Sequence, residues 1–343
     1  MTDQAITRAR PATIIDVARA AGVAVGTVSR YLNGQPIRGG NRDRIAQVID
    51  ELGYRRNGAA ASMKTNTTHI VGMLVPAVSE FHAALLDQLT RRMRQTGRAV
   101  LCFCHDTEPS AIVEGLEFFA SHRVDAVVMD GNEELLQRLA PYIDEGMLVI
   151  LYDNDLPGMS ADRVFVENRR ASKRLIDHVL DLGHERVAII HGNLRDSVAR
   201  DRLEGYRDAL KAHGVTEHPE LVVDAGWNEY RGYTCMGDLM ALPTPPTAVF
   251  SANYNMSIGA LRWLREHDVS IPGDISVVSF DDVPAFSVHS PGITAVGQPV
   301  DKMAEAIVST LTERLGPNAS LGKRTTRIDA EITLRGSTRR LRR

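Results

Sequence analysis

A series of short apolar runs between residues 70 and 281 each stops at a residue able to make a directed polar contact. These residues are His105 and Asp106, Asp130, Asp153, Asn193, Trp227, Asn253 and Asp281. Carboxylates and amides offer paired hydrogen bonds, and a tryptophan offers a flat apolar face. A small polyhydroxylated molecule needs both: polar partners at its edges and an apolar plane against its ring C–H groups. A single polar residue at a strand end is ordinary, because loops are solvated. The set as a whole points to ligand chemistry. Other chemistries lack their residues. The chain has no Gly-x-Ser-x-Gly elbow, no phosphate-binding P-loop and no His-Glu-x-x-His. Asp281 and Asp282 are neighbours on a chain leaving a strand, so they point apart and do not make an acid/base pair. Neither an enzyme nor a cofactor or metal is expected. Cys102 and Cys104 flank Phe103 in an apolar run and read as buried thiols.

Elements of two kinds must hold these residues. Candidate strands are 70–75, 99–103, 126–129, 148–152, 164–166, 187–191, 221–224, 248–251 and 275–280, with charged-faced helical patterns between most of them. This alternation predicts parallel sheets covered on both faces, and ligands in such sheets bind beyond the carboxyl ends of the strands. Two sheets of similar size are expected, with a first break near residues 156–160.

The N-terminal segment has a different pattern. Ile14, Ile15, Val17, Ala18 and Ala21 form one helical apolar stripe, and Gly22 ends it. Val25, Val28, Tyr31 and Leu32 form a second. Two short helices joined by a tight glycine turn make a helix-turn-helix, whose second helix reads DNA. A third helix, about 41–52, closes the core with Ile45, Val48, Ile49 and Leu52. Residues 1–64 hold ten Lys/Arg against five Asp/Glu, a net of +5, so the total of −3 leaves −8 on the rest. A basic head on an acidic body brings the head alone to a polyanion.

The chain has 343 residues, 43% of them hydrophobic and 24% charged, a globular composition long enough for two or three domains. No apolar run approaches the ~18 residues of a membrane span. The polar N-terminus lacks the apolar centre of a signal peptide, so a cytoplasmic protein is expected. A periplasmic-type sugar-binding protein would suit the body, but the basic head and the missing signal peptide argue against it. The basic tail "STRRLRR" carries no leucine heptads, so no added tetramerisation helix is expected.

"TIIDVARAAGVAVGTVSRYLNG" and "ELGYRRN" resemble the start of the lactose/galactose repressor (LacI/GalR) family of transcription regulators. The resemblance continues through "LGHERVAII", "RLEG", "PTAVFSANYN", "IPGDISVVSFDD", "GQPV" and "LRGST", and covers nearly the whole chain. It implies an α/β chain: a three-helix helix-turn-helix head (1–56), a hinge helix and linker (57–68), and a periplasmic-binding-protein-like body (69–340). The body would hold two doubly wound parallel-sheet subdomains, about 69–158 with 299–322, and about 159–298 with 323–340.

Site residues follow from the same resemblance. Val25, Gly26 and Arg30 take the base-facing positions; an arginine can bond guanine O6 and N7 bidentately, for about 1–3 kcal/mol of discrimination. Thr27, Ser29 and Asn33 hold phosphates. Met63 is the hinge wedge in the minor groove. Phe81, His82, Asp106, Asp130, Asp153, Arg202, Trp227, Asn253, Asn255, Asp281 and Gln298 surround the effector. The implied partners are double-stranded DNA with a palindromic operator, a sugar or polyol effector, and a second copy of the chain. The implied function is repression of carbohydrate-utilisation genes, relieved by the effector. A corepressor-dependent regulator with a purine-type ligand is the alternative. The chain departs from the family pattern at Ala24, where a capping serine is usual, in the "PIRGGNRDR" loop, at Gly58 and Ala61 in the hinge, and at Tyr254 and Ser279 near the effector site.

Overall fold

A computed structural model describes residues 10, 12–55, 67–106, 108–131, 136–317 and 322–341. The chain divides into two units, Met1–Thr68 and His69–Arg343.

In the first unit, helix α1 (Ile14–Ala21) opens with a capping box. Asp16 N donates to Thr13 Oγ1 at 3.4 Å, and Thr13 N donates to Asp16 Oδ2 at 2.9 Å. These bonds satisfy amides that a helix start leaves open. Gly22, at φ +62°, ends α1 in the left-handed region that only glycine enters without penalty. Helix α2 (Val25–Leu32) starts at Ala24 with no side-chain cap, and α3 runs Gly39–Glu51. Val17, Ala18, Ala21, Val28, Ile45 and Val48 form the buried centre. Ile15, expected in the stripe, is 56% exposed, because the stripe of an eight-residue helix is narrower than its run of apolar letters.

The second unit contains two six-stranded sheets. The first is built from β1 (Ile70–Val75), β2 (Ala99–Cys104), β3 (Ala126–Asp130), β4 (Val149–Tyr152), β5 (Asp162–Val166) and β11 (Thr325–Ile328), in the order β11-β5-β4-β3-β1-β2, all parallel. The second is built from β6 (Val187–His191), β7 (Val222–Asp224), β8 (Ala248–Ser251), β9 (Ser276–Phe280), β10 (Thr294–Gly297) and β12 (Glu331–Thr333), in the order β12-β10-β9-β8-β6-β7. Only β12 runs antiparallel. Strand order therefore repeats between the halves although no sequence repeat is visible. In each sheet the third strand crosses to the far side of the first, which opens a crevice at the carboxyl ends.

Helices α4 (Glu80–Gln95), α5 (Pro109–Ser121), α6 (Leu136–Asp144) and α12 (Val300–Arg314) accompany the first sheet. Helices α7 (Asn168–Asp181), α8 (Ser197–Ala212), α9 (Glu229–Met240), α10 (Tyr254–Glu266) and the short α11 (Pro284–Val288) accompany the second.

The expected subdomain boundaries need correction. β5 and β11 belong to the first sheet, where Val164 pairs with Tyr152 and with Thr326. A buried ion pair ties this edge to the helix behind it. The Asp162 carboxylate, 1% exposed, accepts from Arg314 Nε at 2.8 Å and Nη2 at 2.7 Å on α12, and from Arg324 N at 2.9 Å. Those contacts hold the Asp162 carboxyl below the usual carboxylate range even though burial opposes them. The chain thus leaves the first sheet after Val166, returns at Thr325 and leaves again after Ile328. A second correction concerns the thiols. Cys104 is exposed and Cys102 only half-buried, because β2 is an edge strand.

Candidate functional site

The loops at the carboxyl ends of both sheets enclose a cavity of about 460 Å³. The backbone aims its lining. Asp153 (φ +59°), Trp227 (φ +65°) and Asp281 (φ +71°) all sit in the left-handed region just beyond β4, β7 and β9. Aspartate tolerates that region, but for a bulky residue such as tryptophan it is an outlier, costing about 1–3 kcal/mol when held. Two contacts hold Trp227 there. Its Nε1 donates to Asp196 Oδ2 at 2.6 Å, and its ring lies on Gly192, where a Cβ would come within 2.2 Å of the indole.

Asp281 is 7% exposed and accepts three hydrogen bonds. Its Oδ2 accepts from Asn253 Nδ2 and Tyr254 N, both at 3.1 Å, and its Oδ1 from Gln298 Nε2 at 3.0 Å. Asn253 also caps α10, its Oδ1 accepting from Asn255 N at 2.8 Å. Arg202, 2% exposed on α8, donates from Nε to Asn168 Oδ1 at 3.0 Å and from Nη1 to the Ala252 carbonyl at 2.7 Å. Its guanidinium lies 3.6 Å from the centre of the Phe280 ring. Burial lowers its pKa, against the pull of Asp281 and Asp153.

Asp153 and Asp130 leave adjacent strands, since Asp130 pairs in register with Tyr152. Each keeps a buried Oδ1 with no hydrogen-bond partner among the described residues. Burial pushes the Asp153 carboxyl up to about 7; Arg202 opposes this and Asp130 adds to it. On α4, Ser79 caps the helix, and its Oγ lies 2.8 Å from His82 Nδ1. Burial pushes the His82 pKa down, which favours the neutral ring.

All the residues expected around an effector line this cavity except Asp106. Asp106 is exposed and stands at φ +47°, one residue past the inward position, which the buried His105 takes. Sequence reasoning left His105 out of the effector set. It also missed Asp196, which steers Trp227, and Asn154, whose Oδ1 accepts from Val198 N at 3.1 Å at the start of α8. Asn154 directly follows Asp153, and that adjacency was the available signal. The two departures near the cavity are satisfied locally. Ser279 Oγ, fully buried, lies 2.7 Å from Ser257 Oγ and donates to the Phe280 carbonyl at 2.7 Å, while the Tyr254 ring packs 6.0 Å from Phe286.

In the head, Val25, Gly26 and Arg30 are exposed on one side of α2, opposite the buried Val28. Thr27 and Ser29 are half-buried and Asn33 is exposed. Met63 and most of the expected hinge lie outside the described residues.

A helix-turn-helix head on a chain whose body holds a polar cavity at the ends of two parallel sheets defines a ligand-controlled DNA-binding regulator. Residues 13–57 match the model of bacterial regulatory proteins of the lacI family, and residues 176–338 that of a periplasmic binding protein-like domain. The chain is 30% identical over 311 residues to the HTH-type transcriptional repressor PurR of Pasteurella multocida (strain Pm70), covering 89% of this chain and 92% of that one. It is 29% identical over 312 residues to the ribose operon repressor of Escherichia coli (strain K12), covering 89% and 93%. The crystal structure of the lac repressor dimer bound to operator and the anti-inducer ONPF shares the fold, with a TM-score of 0.85 at 21% identity over 96% of this chain and 100% of that one. The chain belongs to the lacI family and is an effector-controlled, DNA-binding transcription regulator.

Proposed function

We propose that the protein is a homodimeric repressor that binds a palindromic operator and is released when a sugar or polyol enters the body cavity. The observation that carries the ligand class is the lining: an Asp281 held in place by three donors, further carboxylates with open acceptor sites, and the flat face of Trp227. A relative that represses a ribose operon favours a carbohydrate-linked role. In this reading Val25, Gly26 and Arg30 meet base edges, Thr27, Ser29 and Asn33 meet phosphates, and Met63 wedges the central minor-groove step. Phe81, His82, Asp130, Asp153, Arg202, Trp227, Asn253, Asn255, Asp281 and Gln298 meet the effector. A protein that reads operator DNA in this way works in the cytoplasm.

The test is selection of binding sites from a random duplex pool at near-physiological salt, since phosphate contacts make affinity salt-dependent. Enrichment of a palindrome that a carbohydrate then releases is the expected outcome. Salt-sensitive binding with no enriched sequence would overturn the operator reading.

A further inference from the structure

The cavity is acidic beyond what a neutral ligand requires. Asp130, Asp153, Asp196, Asp281 and Asp282 line it together with Glu80, Asp282 being paired with Arg335, while Arg202 is the only arginine or lysine in the lining among the described residues. That guanidinium is committed to Asn168, the Ala252 carbonyl and the face of Phe280. Asp281 already accepts three hydrogen bonds, and Asp196 accepts from the indole. Oδ1 of Asp130, Oδ1 of Asp153 and Oε1 of Gln298 are buried acceptors with no hydrogen-bond partner among the described residues, and His82 Nε2 in the same lining is likewise unpartnered. His105 Nε2 stands 4.0 Å from the Asp130 oxygen, too far for a hydrogen bond. Buried acceptors left without donors cost about 1–3 kcal/mol each, more when charged. Asp130 and Asp153 leave strands that neighbour each other in the sheet, so two carboxylates face one enclosed space. Like charges held that close repel unless one is protonated or a cation comes between them.

We propose that the ligand is an amino-polyol or amino sugar whose protonated amine binds between Asp130 and Asp153. This rests on the cavity being the effector site. An alkylammonium has three N–H donors and one positive charge. It matches two carboxylate oxygens and an amide oxygen in number, and it removes the repulsion that a neutral hydroxyl leaves in place. Burial raises the Asp153 pKa to about 7; Arg202 opposes the rise, and the neighbouring Asp130 adds to it. The hydroxyl-bearing remainder of the ligand meets Asn253, Asp281 and the Trp227 face.

The experiment is calorimetry on the full chain with matched pairs: glucose and glucosamine, galactose and galactosamine, mannose and mannosamine, glucitol and glucamine, each amine also in its N-acetyl form. At least one amine is expected to bind about tenfold or more tighter than both its neutral parent and its N-acetyl form. Asp130→Asn, which keeps the shape and removes the charge, is expected to erase that preference while leaving the melting temperature within the range of wild type. Equal or tighter binding of every neutral partner overturns the proposal, and so does an absence of binding by any amine. An amine preference that survives Asp130→Asn overturns the assigned position. Binding of the selected duplex, measured without ligand, is a separate arm. If a neutral sugar releases that duplex, the cation fails and the regulator reading stands. If no duplex is selected, the operator reading fails whatever the sugars do.

Discussion

Asp153 combines burial, one arginine and three neighbouring carboxylates, and burial dominates. Its carboxyl holds a proton up to about pH 7 in the folded chain but only to about pH 4 when unfolded. The folded state therefore binds more protons between those values, and the stability from this group falls as pH rises from about 4 to about 7. Asp153→Asn removes the effect. Melts of the ligand-free variant are expected to lie close to wild type at about pH 4 and to rise above it by pH 8. A fall at pH 8 would mean that the attraction to Arg202 outweighs burial. Arg202→Ala is expected to abolish the ligand response while leaving basal DNA binding intact, read by duplex titration with and without effector. An unchanged effector titration would remove Arg202 from the proposed site. Gly192→Ala cannot accept a Cβ without moving the Trp227 ring. It is expected to weaken ligand binding and to red-shift tryptophan fluorescence, with an unmoved spectrum counting against the stacking role.

At the scale of elements, α2 is a short helix with no side-chain cap. Ala24→Ser supplies one, worth about 0.5–2 kcal/mol to the helix. Slower amide exchange across α2 and tighter binding of the selected duplex are expected; tighter duplex binding with unchanged exchange would detach the effect from capping. Gly26 is informative in the opposite direction. A Cβ there meets nothing within 4 Å, so Gly26→Ala is expected to stabilise α2 by about 1 kcal/mol. If specific DNA binding weakens in spite of that gain, the bare backbone is needed close to the duplex. The strands that carry continuous apolar runs were legible in the sequence, and so were the polar residues at their ends. β10, β11 and β12 were not, because they are three or four residues long and mix threonine, arginine and glutamate into their runs. The subdomain boundary was hidden for a related reason. The contacts at that edge, the β5–β11 pairing and the Asp162–Arg314 pair, join residues far apart in the chain. Asp106 was misplaced because a single left-handed residue exchanges the inward and outward sides at the end of β2.

At the scale of the molecule, effector and operator act on each other through one free energy, so each must change the other's affinity by the same factor. Titrating effector with and without saturating duplex is expected to give that equality. Sedimentation at micromolar concentration is expected to show a dimer, and a monomer would contradict the proposed palindromic reading. Three passages of the chain join the two sheets, and the last comes just after β11 closes the edge of the first sheet. This order has a consequence for synthesis. Domains fold as units from the N-terminus while the chain is being made. The head forms a compact unit with its own buried centre within the first sixty-odd residues, but the first sheet is completed only by Thr325–Ile328, after nearly all of the second sheet has been translated. A chain cut short by a late stop codon or frameshift would carry a finished reader of DNA and an unfinished receptor.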